Sequence, residues 1–244
     1  MSLMNDNKIV VQMGIDIGKS KFHIIGVNSH GKQVLRKMLS RSKLLSFLAC
    51  QEFSLIGMEA CGGSHYWERE IRKLGHNTRL IAPQFVKPYL KSNKNDFNDA
   101  EAICEAVGRP SMRFVDSKSI EQQDIQALHR IRQQDIKMRT ALVNQIRGLL
   151  SEYGIVIGIG VNTARLAIPC ILEDAKNELT SRFRYWLSGL YNSLCALDER
   201  IGKHDKEIKL ISRNDEACQR LLEIEGVGVL TATACVSTFG HAQS

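Results

Sequence analysis

The chain has 244 residues, 43% hydrophobic and 24% charged, with a net charge of +7, which is the composition of an ordinary globular protein. No apolar run approaches the roughly 20 residues of a membrane-spanning helix, and the polar N-terminus lacks a signal-peptide core, so we expect a soluble cytoplasmic protein with no membrane contact. The seven cysteines include no C-x-x-C pair, which argues against a zinc site and favours reduced thiols.

Residues 9 to about 108 have the pattern of an α/β domain. The predicted strands cover residues 9–16, 21–27, 33–39, 54–59 and 78–81. The predicted helices cover residues 42–49 and 66–74, the second capped by Ser64, and a third begins near Asp96. Three strands followed by alternating helices and strands is the order of the ribonuclease-H-like fold, and we predict that fold here.

Four acidic residues occupy the ends of these elements. Asp16 and Glu59 close two predicted strands, and Asp96 and Asp99 share one face of the helix that follows. Taken alone, Asp96 and Asp99 could simply be acidic residues in the first turn of a helix, where their charge interacts favourably with the helix dipole. Together with Asp16 and Glu59, however, they form the oxygen ligand set that Mg²⁺ or Mn²⁺ needs, and two such ions catalyse phosphoryl transfer.

Positive charge surrounds these acids. No acidic residue lies between Asp16 and Glu52, and the basic residues of that interval are Lys19, Lys21, Lys32, Arg36, Lys37, Arg41 and Lys43. Lys87, Lys91 and Lys94 then precede Asp96. Cations that flank carboxylates suit a polyanion whose phosphates must approach the acids, so we expect a nucleic-acid partner.

The segment Gly14-Ile15-Asp16-Ile17-Gly18-Lys19-Ser20 invites two other interpretations. It is not a P-loop, because only three residues separate the first glycine from Gly-Lys-Ser, where that motif has four. It also resembles the first phosphate loop of actin-like and sugar-kinase ATPases. Those proteins need a second Asp-x-Gly loop in a duplicated domain, and the sequence shows none.

The rest of the chain is predicted to be helical, with two long amphipathic segments of about 30 residues each. In the first, apolar residues recur at Ile125, Leu128, Ile131, Met138, Leu142, Ile146 and Leu149. In the second they recur at Leu179, Phe183, Trp186, Leu190, Leu194, Leu197, Ile201, Ile208 and Ile211. Residues 154–161 and Pro169 break the chain between them. Heptad-like spacing predicts an antiparallel helical pair or a dimerising coiled coil.

Two further features of this helical part are compatible with nucleic acid. The first long helix carries Arg130, Arg132, Lys137 and Arg139, which form either a polar coiled-coil face or a nucleic-acid-binding one. Residues 221–232 read as a helix, a turn with Gly226 and Gly228, and a second helix. Such a helix-hairpin-helix can hold a DNA phosphate on backbone N–H groups, although glycine turns also join helices that bind nothing.

Four segments together resemble the DEDD-type insertion-sequence transposases, relatives of the Piv pilin-gene invertase. They are Gly14-Ile15-Asp16-Ile17, Met58-Glu59-Ala60-Cys61-Gly62-Gly63, Lys94-Asn95-Asp96-Phe97-Asn98-Asp99-Ala100 and Ile224-Glu225-Gly226-Val227-Gly228-Val229-Leu230-Thr231-Ala232. The resemblance implies a RuvC-like catalytic domain over 9–115, a coiled-coil region over 116–213 and a partial transposase domain over 214–244. It makes Asp16, Glu59, Asp96 and Asp99 the catalytic metal ligands.

The resemblance also implies DNA strand cleavage and exchange that depend on Mg²⁺ or Mn²⁺, element ends and target DNA as substrates, and a structured guide RNA as partner. The family's serine nucleophile lies in a C-terminal segment that has no counterpart before Ser244. Two hypotheses therefore remain: a recombinase, or a truncated and inactive remnant that only binds nucleic acid and oligomerises. The long apolar seams predict a homodimer, or a dimer of dimers on DNA.

Overall fold

The structure, a computed structural model, describes residues 8–91 and 95–239 and divides into two compact units, one ending at Ser119 and the other beginning at Ile120. Each unit has its own hydrophobic core. Lys94, one of the basic residues noted in the sequence, lies outside the described residues. Within the described residues, none of the helices combines the length and the apolar character needed to cross a bilayer.

The first unit is built on one six-stranded mixed sheet. Its strands are β1 Gln12–Ile17, β2 Lys21–Val27, β3 Gln33–Ser40, β4 Leu55–Glu59, β5 Asn77–Ile81 and β6 Phe114–Val115. The order across the sheet is β3-β2-β1-β4-β5-β6. The first three strands are antiparallel, β1, β4 and β5 are parallel, and β6 returns antiparallel to β5. The predicted α/β organisation is confirmed, and it fits a ribonuclease-H-like domain.

The helices of this unit cover both faces of the sheet. They are α1 Leu44–Leu48, α2 Ser64–Lys73, α3 Pro83–Val86 and α4 Asp96–Val107, and short 3₁₀ turns cover Arg41–Lys43 and Lys87–Tyr89. Met13 and Ile15 of β1 point to the face where Trp67 and Ile71 of α2 complete the core. Because side chains alternate along a strand, Gly14 points to the opposite face, where α4 packs.

Two local predictions for this unit were wrong, and one strand was missed. The residue before α2 is Gly63, in a left-handed conformation with φ 89°, and Ser64 does not cap the helix. The Ser64 hydroxyl instead donates a hydrogen bond to the Cys61 carbonyl. The first strand begins at Gln12 rather than at residue 9, and the two-residue strand β6 was not predicted, because so short a strand has no sequence period.

The second unit is helical. Its helices are α5 Ile120–Ser151, α6 Val161–Glu173, α7 Ser181–Asn214, α8 Glu216–Leu222 and α9 Val229–Phe239. The long helices α5 and α7 have 32 and 34 residues and run antiparallel. Their ion pairs fix that direction, because Arg132 meets Asp205 near one end and Arg139 meets Asp198 further along.

The side chains that join the long helices differ in part from the predicted seams. On α5, Val143 and Leu150 are buried, whereas Ile131 and Met138 are 52% and 46% exposed. On α7, Trp186 is 56% exposed, although Phe183, Leu194 and Ile201 are buried as predicted. A heptad count assigns one face to each helix, whereas each of these helices packs against several neighbours at different angles.

The expectation that Pro169 breaks the chain is also wrong, because Pro169 lies inside α6. Ala164 and Ile168 of α6 are completely buried in the core formed with α5 and α7. This packing offsets the loss of one backbone hydrogen bond at the proline, which shows tertiary contacts overriding local propensity.

At the end of the described chain, α8 and α9 pack together and α9 lies along α5. Gln122 and Gln126 donate hydrogen bonds to backbone carbonyls of Val236 and Ser237, and His129 contacts the Thr233 hydroxyl at 2.9 Å. The first turn of α5 and the end of the described chain are therefore held to each other.

Candidate metal centre and nucleic-acid interface

The sheet register sets Asp16 and Glu59 side by side. Gly14 of β1 pairs with Gly57 of the parallel strand β4. Asp16 and Glu59 each follow their glycine by two residues, so both side chains project from the same face at neighbouring strand ends. That face is the one covered by α4.

The N-terminus of α4 brings in the second pair of acids. The Asn95 side chain caps the helix by accepting a hydrogen bond from the Phe97 backbone N–H, at 3.0 Å. Asp96 and Asp99 lie in the first turn. Asn95 therefore supplies the side-chain cap, and Asp96 and Asp99 occupy first-turn positions in which acidic residues are favoured with or without a metal.

Three of the four predicted acids meet in a tight cluster. Asp16, Asp96 and Asp99 each offer a carboxylate oxygen, and these oxygens lie within 4.8 Å of one another. The Asp16 side chain is 26% exposed and the Asp96 side chain is 65% exposed, so the cluster is open to solvent on the α4 side. A cation bound there could therefore share its coordination sphere with an incoming phosphate.

The carboxylates of the cluster repel one another. Burial of Asp16, followed by the carboxylates of Asp99 and Asp96, raises the pKa of Asp16 from 3.8 to about 6, against the opposing effect of His23. Mutually repelling carboxylates at one point are the donor set that a divalent cation would neutralise, so the residues fit Mg²⁺ or Mn²⁺.

Glu59 stands at the edge of this group. It contributes to the raised pKa of Asp16, but less than the two aspartates of α4 do. Burial, followed by Glu59 and Asp16, also raises the pKa of the Cys61 thiol. Glu59 is thus close enough to act on the cluster electrostatically without belonging to its tightest set of oxygens.

One residue of the site was missed by the sequence reasoning. His23 of β2 is the cross-strand neighbour of Asp16, and its Nδ1 lies 4.0 Å from an Asp16 oxygen and 3.6 Å from an Asp96 oxygen. No local motif marks this histidine. Only the antiparallel register between β1 and β2 would have located it.

The predicted basic residues between Asp16 and Glu52 form an exposed surface. All seven, including Lys19 and Lys21, are exposed, and none forms an ion pair with a carboxylate of the described residues. Lys19, Arg41 and the 44% exposed ring of Tyr66 border an open depression of about 810 Å³ beside the β1–β2 turn. The Arg41 guanidinium lies 4.9 Å above the Trp67 ring.

The basic residues of α5 do not form one surface. Arg130 and Lys137 are exposed, but Arg132 bonds to Asp205 at 2.6 Å and Arg139 bonds to Asp198 at 2.8 Å, both on α7. Of the two alternatives, Arg132 and Arg139 fit the polar helix-pair face, since only 19% and 25% of their side chains are exposed, and their contact with nucleic acid stays a prediction.

The two glycines of the predicted hairpin lie between α8 and α9. Gly226 adopts φ +84°, which favours glycine, and Gly228 accepts the first helical hydrogen bond of α9 from Ala232. Both are exposed. Their role in binding a phosphate stays a prediction.

Comparison with known proteins identifies the group of proteins to which this arrangement belongs. A family model for transposases of the DEDD IS110 type matches residues 13–155. The chain is 44% identical over 237 residues to the transposase for insertion sequence element IS1111A of Coxiella burnetii. It is 42% identical over 233 residues to a probable family 20 transposase of Pseudomonas aeruginosa, and 41% identical over 237 residues to the transposase for element IS1328 of Yersinia enterocolitica.

These alignments cover 97%, 95% and 96% of this chain. They cover 64%, 69% and 70% of the three relatives, so the chain spans about two thirds of their length. The matched family region contains the strands β1 and β4 and the helix α4 that carry the acids. The chain belongs to the IS110 family of DEDD transposases.

Proposed function

We propose that the first unit is the catalytic domain of an insertion-sequence transposase that cleaves and exchanges DNA strands with divalent cations. The observation that carries the proposal is the convergence of Asp16, Asp96 and Asp99 oxygens within 4.8 Å. These residues would hold two Mg²⁺ or Mn²⁺ ions, whose chemistry when bound would be to activate an attacking oxygen and stabilise a leaving oxygen of a phosphodiester. Glu59, at the neighbouring strand end, completes the proposed ligand set.

Each acid has a distinct part in this proposal. Asp16, at the end of β1, would hold a cation from the sheet side. Asp96 and Asp99 would hold it from the helix side, where the site is open to solvent. Glu59 would contribute from the end of β4. These roles are inferred from placement on β1, β4 and α4, and the family resemblance implies metal binding by all four acids.

The nucleic-acid strand is proposed to approach along the exposed basic surface of β2, β3 and the 3₁₀ turn at Arg41. Lys19 and Arg41 would contact phosphates, and Tyr66 offers an exposed ring on which an unpaired base can stack. Lys19 follows Asp16 by three residues. A nucleic-acid strand whose phosphate is bound by Lys19 would therefore have its adjacent sugar-phosphate backbone near the acids. Arg130, Lys137, Gly226 and Gly228 are further proposed contacts on the second unit.

The proposal extends to assembly and to RNA. Ile131 and Met138 leave apolar surface on α5, which supports a homodimer or a dimer of dimers joined through the long helices, in a coiled-coil arrangement. A structured guide RNA is proposed as a partner because the family resemblance implies one, and the uncompensated charge of the basic surface suits it.

The function is tested by cleavage of DNA that carries the element ends, with Mg²⁺ or Mn²⁺ and the cognate RNA. Wild-type protein should nick or join these ends, and Asp99→Asn should lose at least 100-fold of the rate, consistent with removal of a metal ligand. The control is Glu101→Gln, because Glu101 lies on the same helix and pairs with Lys91. Equal rates for Asp99→Asn and wild type would contradict the assignment, whereas tight DNA binding without cleavage would favour the purely binding remnant.

A further inference from the structure

Among the described residues, none forms a hydrogen bond with the Nδ1 ring nitrogen of His23. The residue is only 8% exposed, and within the described part of the chain its buried Nδ1 makes no hydrogen bond. The two nearest carboxylates, of Asp96 and Asp16, lie at 3.6 and 4.0 Å, which is beyond hydrogen-bond length. A buried polar atom without a hydrogen-bonding partner is energetically unfavourable. A bound ligand or ion beside Nδ1 would remove this cost.

The imidazole is held in this orientation by apolar contacts. Its ring meets the Phe97 ring edge to face, with centroids 4.7 Å apart and planes at 76°. The Arg36 guanidinium covers Phe97 at 4.2 Å from the ring centroid, and Phe97 packs on the cluster of Ile25, Ala100 and Cys104. The Nδ1 atom is thus fixed toward the carboxylates by contacts that themselves place no donor or acceptor on it.

We propose that His23 is a nitrogen ligand of the cation held by Asp16 and Asp96, an inference that rests on the proposed metal-dependent function. Two ligand atoms about 2.0–2.2 Å from one ion lie roughly 3–4.4 Å apart, depending on the angle between them. The distances of 3.6 and 4.0 Å from Nδ1 to the two carboxylates fall inside that interval. Coordination through Nδ1 requires the ring proton to reside on Nε2.

A nitrogen ligand has a consequence for the choice of metal. Carboxylates and water suit both Mg²⁺ and Mn²⁺, but an added imidazole nitrogen contributes more to the binding of the transition metal Mn²⁺ than to that of the harder Mg²⁺. His23 therefore makes one of the two cation positions selective for Mn²⁺ over Mg²⁺. Replacing His23 by Ala should weaken Mn²⁺ binding about tenfold and leave Mg²⁺ binding within about twofold.

The direct test is electron spin-echo envelope modulation of Mn²⁺ added to the whole chain. Wild-type protein should show the ¹⁴N modulation of a coordinated imidazole, and uniform ¹⁵N labelling of histidine should change its frequencies. The modulation should be absent from His23→Ala and from His23→Asn, in which an amide oxygen takes the position of Nδ1. His30→Ala is the control, because His30 is exposed on the turn between β2 and β3.

Each outcome separates this inference from the function on which it rests. Mn²⁺ bound by wild type without nitrogen modulation, or modulation that persists in His23→Ala, would overturn the role of His23 and leave the acidic metal site intact. Failure of wild type to bind Mn²⁺ at all would overturn both. The labelling experiment on wild-type protein shows whether a histidine coordinates Mn²⁺, and comparison of His23→Asn with His30→Ala assigns that ligand to His23 or excludes it.

Discussion

Gly14 of β1 touches the backbone of Ala100 in α4. A Cβ atom at position 14 would lie 2.1 Å from the Ala100 carbonyl oxygen and 2.3 Å from the Cys104 nitrogen. The absence of a side chain lets α4 cross β1 at backbone contact. This close crossing sets the first turn of α4, with Asp96 and Asp99, beside Asp16.

The first prediction concerns Gly14→Val. The new side chain must push α4 away from β1, which separates the helix acids from Asp16 and costs roughly 1–3 kcal/mol of stability as overpacking. We expect the variant to lose most of the thermal stabilisation that Mn²⁺ gives wild type. The matched control is Gly62→Ala, because a Cβ at Gly62 meets no atom within 4 Å. Full retention of the Mn²⁺ response in Gly14→Val would show that the crossing does not position the site.

The second prediction uses the raised pKa of Asp16, about 6 in the folded protein against 3.8 unfolded. The folded state then binds more protons than the unfolded state between these values, so metal-free protein gains stability as pH falls from 7 toward 4 through this group. Asp16→Asn removes the charge. It should raise the melting temperature of metal-free protein at pH 7 by about 2–6 °C, and by much less at pH 4. A lower melting temperature at pH 7 would contradict the prediction.

The third prediction concerns the buried Asp135 of α5. It is 5% exposed and is held by Arg200 at 2.5 Å and His204 at 3.4 Å, both on α7. Asp135→Ala removes both contacts and should lower stability by about 1–3 kcal/mol, since Arg200 can still reach water. Glu199→Gln breaks the exposed pair with Lys203 and should leave the denaturation midpoint unchanged. Similar midpoints for both variants would show that the buried pair does not hold α5 to α7.

The fourth prediction concerns the salt dependence of nucleic-acid binding. Lys19→Ala removes one phosphate contact and should reduce the slope of log affinity against log salt by about one. Arg132→Ala, in contrast, breaks the ion pair with Asp205 and should change helical stability more than that slope. Measurement of DNA affinity between about 50 and 200 mM salt distinguishes the two. An unchanged slope in Lys19→Ala would remove Lys19 from the interface.

The residues that could be predicted from the sequence are those whose position follows from periodicity. Asp16 and Glu59 end apolar runs, and parallel neighbouring strands bring such ends together. Asp96 and Asp99 share a face because they lie three residues apart. The lengths of α5 and α7 follow from their apolar repeats, which persist without a strong break.

Other features depend on contacts between different secondary-structure elements. His23 joins the acids only because the β1–β2 register sets it opposite Asp16. Pro169 remains helical because flanking residues of α6 are buried. The side chains of Arg132 and Arg139 point toward α7 because they form ion pairs with Asp205 and Asp198 of that helix. A charge read along one segment cannot show its partner on another helix, and Asp205 and Asp198 lie 73 and 59 residues from Arg132 and Arg139 in the chain.

The central claim is that the acids on β1 and α4 bind divalent cations, and calorimetric titration of Mn²⁺ into the metal-free chain tests it most directly. Wild type should bind Mn²⁺, and Asp99→Asn should lose at least tenfold in affinity through loss of a carboxylate ligand. Glu101→Gln, two residues further along the same helix, should bind like wild type. Equal affinity in Asp99→Asn and wild type, or a loss confined to Glu101→Gln, would contradict the claim.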